Sequence, residues 1–357
     1  MSVQTRPNSG LFNKLRTGLV RNTTLAVLIA GGVFAVSATA SAADVIKWRL
    51  QSHFPTSSSS YKDSVERLQK VVAERTDGRL QIEIFPAGTL FKANETFNAV
   101  SRGVIQMGTI SPGYVQDKLT LAGIASGLPF AFREVWETAY FHTQLGFEDM
   151  LRKEAAKYNV YYSTDKVYPT EMVVKKPINS WEDFKGLKIR SSGILQRFLT
   201  DAGASGVYLP GTEVYSALAS GVVDGAHWGA SQGAKSTGLY EVAKYHVKPP
   251  LNIAGTDAFI INQKALDKLP DDVRTILVQA LDEQFWLRTN EYLYKEQITL
   301  AKAQKEDGVK VIVLPEDVQQ RLTDSAQKLW DTEAERSPEA KDAVERLRKF
   351  LGELGYL

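Results

Sequence analysis

Short apolar runs and longer amphipathic stretches alternate along the chain from residue 45 onward. Val45–Gln51 reads as a strand, and the stretch Tyr61–Glu74 sets Val65, Leu68, Val71 and Val72 on one face of a helix. Asp77-Gly78 turns the chain into a second strand, Leu80–Phe85, which Pro86-Ala87-Gly88 stops. A helix around Ala93–Arg102 and a strand at Ile105–Ile110 complete a β-α-β-α-β succession. That order predicts a largely parallel sheet with helices on its faces.

The pattern returns after about residue 160. Strands are expected at Val160–Thr164, Glu171–Val174, Leu187–Arg190, Val222–Trp228 and Ala258–Asn262, with helices at Ile194–Ala202 and Thr212–Ser220. Pro270-Asp271-Asp272 opens a helix that can run to about Gln304 without an interior Gly or Pro, long enough to brace two lobes. A strand at Val309–Val313 and two terminal helices finish the chain. Two α/β lobes make a cleft, and in open α/β sheets ligands sit beyond the carboxyl ends of the strands. His53, Ser111, Tyr168, Arg190 and Trp228 are the residues this rule brings forward. Trp48, Trp136, Trp181, Trp286 and Trp330 read as core or helix-packing residues, and His142 and His246 as structural histidines.

Composition narrows the class. The 357 residues are 43% hydrophobic, enough for two cored lobes, and there is no cysteine, so disulfides, thiolate metal sites and cysteine nucleophiles are excluded. Residues 1–42 read as an export signal: Lys14, Arg16 and Arg21 precede the apolar run Leu25–Val36, and Ala40-Ser41-Ala42 fits the cleavage pattern. Removing that segment's four basic residues from the 43 Lys+Arg leaves 39 against 41 acids, a net charge of −2. Such a surface gives no electrostatic footprint for nucleic acid. No later apolar run is long enough to span a bilayer, so the mature chain is expected to be exported and not embedded in the membrane.

Catalytic motifs are sparse. Ser111 lies in Gly108-Thr109-Ile110-Ser111-Pro112-Gly113, which is not a nucleophile elbow, and the four histidines form no H-E-x-x-H. Neither a phosphate-binding nor a dinucleotide-binding glycine loop is present. A carboxylate–histidine pair such as Asp257 with His227 is the arrangement a lyase or hydrolase would use.

The stretch Gly186–Trp228 resembles the signature of DctP-type solute receptors, the extracytoplasmic binding proteins of TRAP (tripartite ATP-independent periplasmic) transporters. The resemblance rests on Gly186-Leu187-Lys188-Ile189-Arg190, on Glu213-Val214-Tyr215 with Ala217-Leu218, and on Gly221-Val222-Val223-Asp224-Gly225. The stretches Gly78–Leu90, Gly103–Tyr114, Gly127–Phe132 and Asn262–Leu277 extend it over nearly the whole mature chain. It implies a periplasmic-binding-protein-like (Venus-flytrap) α/β fold with a long bridging helix. The expected lobes are residues 43–166 with 254–290, and residues 167–253 with 291–357.

The resemblance also implies that Arg190 pairs with a ligand carboxylate, which suits the planar two-donor fork of a guanidinium. Where members for sialic acid or C4-dicarboxylates place Asn, this chain has Trp228; Thr170 stands where sialic-acid members carry a second arginine. Trp228 is similar to the Trp of members that bind 2-oxo or 2-hydroxy monocarboxylates, but their preceding Glu is His227 here. In those members a metal ion can help hold the acid. Imidazole suits transition metals better than hard Na⁺ or Ca²⁺, so whether a metal takes part stays open. Further pocket candidates are His53, Phe54, Ser111, Tyr114, Tyr168, Thr170, Asn252 and Asp257. The expected ligand is a 2-oxo, 2-hydroxy or aromatic monocarboxylate, passed to the small and large TRAP membrane subunits. A C4-dicarboxylate is the alternative, with Lys166 or His53 supplying the second subsite.

Overall fold

A computed structural model describes residues 45–357; the export signal expected at residues 1–42 lies outside them. Nine strands form one mixed sheet among the described residues: β1 (Ile46–Gln51), β2 (Leu80–Phe85), β3 (Met107–Ile110), β4 (Val160–Val174), β5 (Lys188–Ser191), β6 (Ser205–Tyr208), β7 (Gly225–His227), β8 (Tyr245–Asn262) and β9 (Lys310–Val313). The order is β2-β1-β3-β8-β4-β7-β5-β6, with β9 added to β8. Pairing is parallel within β2-β1-β3 and within β7-β5-β6. The two groups are joined by antiparallel pairing through β4 and β8.

These two long strands correct the sequence reading, which gave short strands at 160–164, 171–174 and 258–262 in a largely parallel sheet. The carboxyl half of β8 pairs with β3 and the amino half with β9, so one strand runs from the first group into the second. Its partner β4 keeps pace along almost its whole length, with register shifts around Tyr168–Thr170, where Pro169 falls. Proline cannot donate to a ladder, and a bulge tolerates it there. The strand expected at Val222–Trp228 is shorter, because Val222 and Asp224 lie outside it and Val222 is exposed.

Each group has its own apolar interior. Trp48, Leu50, Leu68, Val72, Phe259 and Leu277 pack under β1 and β2, while Val214, Leu218, Ala226 and Tyr240 pack under β7. A larger cluster, from Phe97 through Phe141 and Phe198 to Trp330 and Leu351, fills the space between β3, β8 and the terminal helices. Trp48 and Trp330 are core residues as expected; Trp136 and Trp286 are not, being about half exposed on helix surfaces. His142 and His246 are buried, the latter bonded to Tyr240 Oη and Glu171.

The helix Asp271–Glu306 has 36 residues and is therefore about 54 Å long. Asp271 and Asp272 in its first turn and Lys305 in its last complement its dipole. Its first half buries Val273, Leu277 and Leu281; its second half buries Gln284, Arg288, Tyr292 and Glu296, every fourth residue. An apolar stripe thus becomes a polar one on the same side of one helix. The polar half grips β4: Gln284 donates to Asp165 Oδ1 at 2.8 Å, and Val167 N–H donates to Thr289 Oγ1 at 3.0 Å. Arg67, Lys295 and Arg288 share Glu291, tying the helical segment Tyr61–Arg75 to the long helix.

Candidate functional site

The ends of β1, β3, β5 and β7, the middle of β4 and β8, and the long helix meet around a cavity of about 60 Å³. His53 and Phe54 follow β1, Ser111 and Tyr114 follow β3, and Arg190, His227 and Trp228 come from β5 and β7. Lys166 and Tyr168 on β4, Asp257 on β8 and Tyr292 on the long helix complete the wall, with Ser58, Ser59 and Ser60 from the chain between β1 and Tyr61.

Arg190 is almost fully buried and already partly committed. Its Nε donates to the Leu209 carbonyl and its Nη1 to the His227 carbonyl, both at 2.9 Å, and Nη2 reaches Tyr114 Oη at 3.4 Å. Backbone carbonyls therefore fix the plane of the guanidinium, while Nη1 and Nη2 each keep one further hydrogen for a ligand. The guanidinium lies 5.0 Å from the centre of the Trp228 ring. That ring needs Gly211: a Cβ there would come within 2.3 Å of Trp228 Cη2. Gly229, at φ +49°, turns the chain after Trp228 where the Tyr292 hydroxyl approaches.

His227 accepts or donates through Nδ1 to Ser191 Oγ at 2.9 Å. Burial, reinforced by the Arg190 charge, pushes its pKa down to about 3, so it is neutral in the physiological range. On the opposite wall, His53 Nε2 lies 3.2 Å from Asp257 Oδ1, and His53 Nδ1 lies 2.8 Å from Thr109 Oγ1. A carboxylate only accepts, so Nε2 carries a proton. Burial opposes ionisation of Asp257, but Lys166 and His53 outweigh it and hold its carboxyl well below the usual range.

Lys166 is the most enclosed cation of the wall. Its Nζ donates to Asp257 Oδ2 at 2.6 Å and to Asp165 Oδ2 at 3.0 Å. It also sits 5.0 Å from the ring centres of Phe54 and Tyr168 and 5.8 Å from that of Tyr292. Burial raises the Tyr168 and Tyr292 hydroxyls well above their ordinary pKa, so both remain neutral donors.

Nine of the eleven residues singled out from the sequence share this cavity. Thr170 and Asn252 do not, and their expected place in the pocket is corrected. They face each other across β4 and β8; Asn252 Nδ2 donates to the carbonyls of Ser126 and Gly127, and Thr170 packs on Gly255. The Asp257–His227 pair a lyase would need is also absent, since Asp257 bonds His53 and Lys166 while His227 bonds Ser191. Sequence reasoning missed Tyr292, Ser192 and the three serines as wall residues. The four-residue spacing of Gln284, Arg288, Tyr292 and Glu296 is the signal that could have found Tyr292.

The wall offers a hard metal ion no free carboxylate. Na⁺ and Ca²⁺ are held by several oxygens, whereas Asp257 is the one carboxylate on the wall and already carries Lys166. Among the described residues no cluster of three or more histidines and carboxylates is arranged to hold a metal.

Comparison with known proteins agrees with the architecture. The family model for bacterial extracellular solute-binding proteins, family 7 (DctP), matches residues 51–337. A monocarboxylate 2-oxoacid-binding periplasmic protein of Nostoc sp. is 27% identical over 310 residues, covering 85% of this chain and 84% of its own. A TRAP transporter solute-binding protein from Bordetella bronchiseptica, with calcium and picolinate bound, superimposes with a TM-score of 0.81 at 25% identity, over 87% of this chain and 93% of its own. One from Pseudoalteromonas atlantica, with bound sodium and pyruvate, gives 0.80 at 25% identity, over 87% and 95%. The two-lobe α/β fold is that of these receptors, and the chain belongs to the DctP family of TRAP-transporter solute-binding proteins.

Proposed function

We propose that the protein is a non-enzymatic periplasmic receptor that binds a small 2-oxo or 2-hydroxy monocarboxylate and delivers it to the small and large membrane subunits of a TRAP transporter. The observation that carries this reading is Arg190, buried, held flat by two carbonyls, and still offering hydrogens on Nη1 and Nη2 to the cavity. A guanidinium so fixed pairs with a carboxylate at little further entropic cost. The Trp228 ring beside it gives the body of the acid an apolar surface.

Size and charge favour a small monoanion. The cavity, about 60 Å³, suits an acid of a few carbons, and an aromatic acid would need it to widen. Its wall carries two cations, Lys166 and Arg190; Lys166 is already paired with Asp257 and Asp165, which leaves the charge of Arg190 for a ligand. One carboxylate balances that charge. A C4-dicarboxylate would bring a second one toward Lys166, whose charge Asp257 and Asp165 already neutralise. The 2-oxoacid-binding relative supports the same class.

Ligand enters between residues 43–166 with 254–290 and residues 167–253 with 291–357, which act as the two lobes. Contacts from both sides then favour the closed form over the open one. Export by residues 1–42 would put the receptor in the periplasm; among the described residues no helix is long and apolar enough to cross a membrane.

A thermal-shift panel of carboxylates on the purified protein tests the reading. Pyruvate, lactate and their short homologues should raise the melting temperature, and succinate and malate should not. Stabilisation by the diacids alone would overturn the monocarboxylate assignment, and stabilisation by no carboxylate would overturn the receptor reading.

A further inference from the structure

We propose that Lys166 is the cation of this binding site: its ammonium anchors the 2-oxo or 2-hydroxy oxygen of the ligand, and binding requires no metal ion. This rests on the reading of the cavity as a monocarboxylate site and goes beyond it. The structurally similar receptors from B. bronchiseptica and P. atlantica hold calcium or sodium along with their ligands. The donor set here departs from what such ions require.

Four observations carry the inference. First, Lys166 is fully buried, yet its side chain lines the cavity. Second, two of the three ammonium donors are spent on Asp257 and Asp165, at 2.6 and 3.0 Å, which leaves one N–H. Third, the carboxylates are themselves saturated. Asp257 Oδ1 faces His53, Asp165 Oδ1 accepts from Gln284, and Asp165 Oδ2 accepts from Ser64 as well as from Lys166. No carboxylate oxygen of this cluster lacks a hydrogen-bond partner, so a metal bound through these carboxylates would have to displace one of these donors. Fourth, the rings of Phe54, Tyr168 and Tyr292 surround Nζ at 5.0 to 5.8 Å, presenting π faces that stabilise an ammonium.

A 2-oxo acid presents its carboxylate and an acceptor oxygen on adjacent carbons. Arg190 takes the first and Lys166 the second, so two fixed cations recognise one small molecule from different walls. An acid without the 2-oxygen would leave the third ammonium hydrogen unpaired in a closed cavity, at a cost in affinity.

The test is calorimetric titration of pyruvate into the protein after exhaustive chelation in sodium-free buffer, and again with calcium or sodium restored. The dissociation constant should change by less than about twofold between these conditions, because no ion takes part. Propionate, which lacks the 2-oxygen, should bind at least ~10-fold more weakly than pyruvate. The charge-neutral double variant Lys166→Met/Asp257→Asn should lose about 50-fold in pyruvate affinity while keeping its melting temperature within a few degrees. Binding of pyruvate only when calcium or sodium is present would overturn the inference and leave the receptor reading intact. Equal affinity for pyruvate and propionate, or unchanged affinity in a folded double variant, would overturn it likewise. Should the double variant not fold, the chelation and propionate arms decide the matter alone. No pyruvate binding under any condition would remove the monocarboxylate reading and this inference with it.

Discussion

At the scale of single residues, the site is built by fixing cations before a ligand arrives. Arg190 gives two donors to backbone carbonyls, and Lys166 gives two to carboxylates, so neither is free to turn away. Both line the same small cavity. The position of Trp228 depends equally on an absent atom, the Cβ of Gly211. Gly211→Ala should therefore push the indole out of place and weaken ligand binding by roughly tenfold, with little loss of fold, since Gly211 is partly exposed. Titration calorimetry on the variant checks this; unchanged affinity would show that the ring is not part of the ligand's surface.

Among the elements, the long helix couples the wall to the rest of the molecule. Its buried Glu296 accepts from Ser231 Oγ and from the Gln232 backbone N–H, just after the Trp228–Gly229 turn. Burial pushes the Glu296 pKa up to about 7, with Glu171 adding to the effect and the two donors opposing it. A raised carboxyl pKa means the folded protein holds a proton that the unfolded chain has lost between about pH 4.5 and 7. Stability from this group is thus greatest below that window and falls as pH rises through it. Glu296→Gln keeps the acceptor without the charge, so its melting temperature should exceed the parent's by a few degrees at pH 8 and converge with it at pH 4. A difference independent of pH would mean that Glu296 is charged at no cost.

The elements also show where the sequence was informative. Period-two and helical patterns located β1, β2 and the long helix, whose observed end at Glu306 is two residues past the expected one. Proline conceals the two long strands in the pattern: Pro169 lies in β4, and Pro249 and Pro250 lie in β8. In the fold they fall where β4–β8 pairing is irregular or interrupted, so the strands continue past them. Strand ends brought His53, Ser111, Arg190 and Trp228 into view, because their place follows from local pattern. Tyr292 reaches the site through packing of the long helix on β4, and Asp257 meets Lys166 through β4–β8 pairing, neither of which a local pattern states. Thr170 and Asn252 failed for the converse reason: near the site along the strands, they face packing rather than the cavity.

For the whole molecule, the cavity gathers side chains from both strand groups, so one ligand can bind them together. His53, Ser111 and Tyr114 stand on one side and Arg190, His227 and Trp228 on the other, with β4, β8 and the long helix running between. A ligand that touches both sides stabilises their approach, and the free energy of binding appears as resistance to unfolding. Arg190 is central to this, since without it a ligand carboxylate would share the cavity with Asp257 while Lys166 is already paired. The most direct measurement is calorimetric titration of pyruvate into the parent protein and into Arg190→Ala. The account predicts one site per chain in the parent and an affinity at least about 100-fold weaker in the variant, a loss of roughly 2.7 kcal/mol or more. Equal affinity in a folded Arg190→Ala protein would contradict it, because the carboxylate would then be held by something other than this guanidinium.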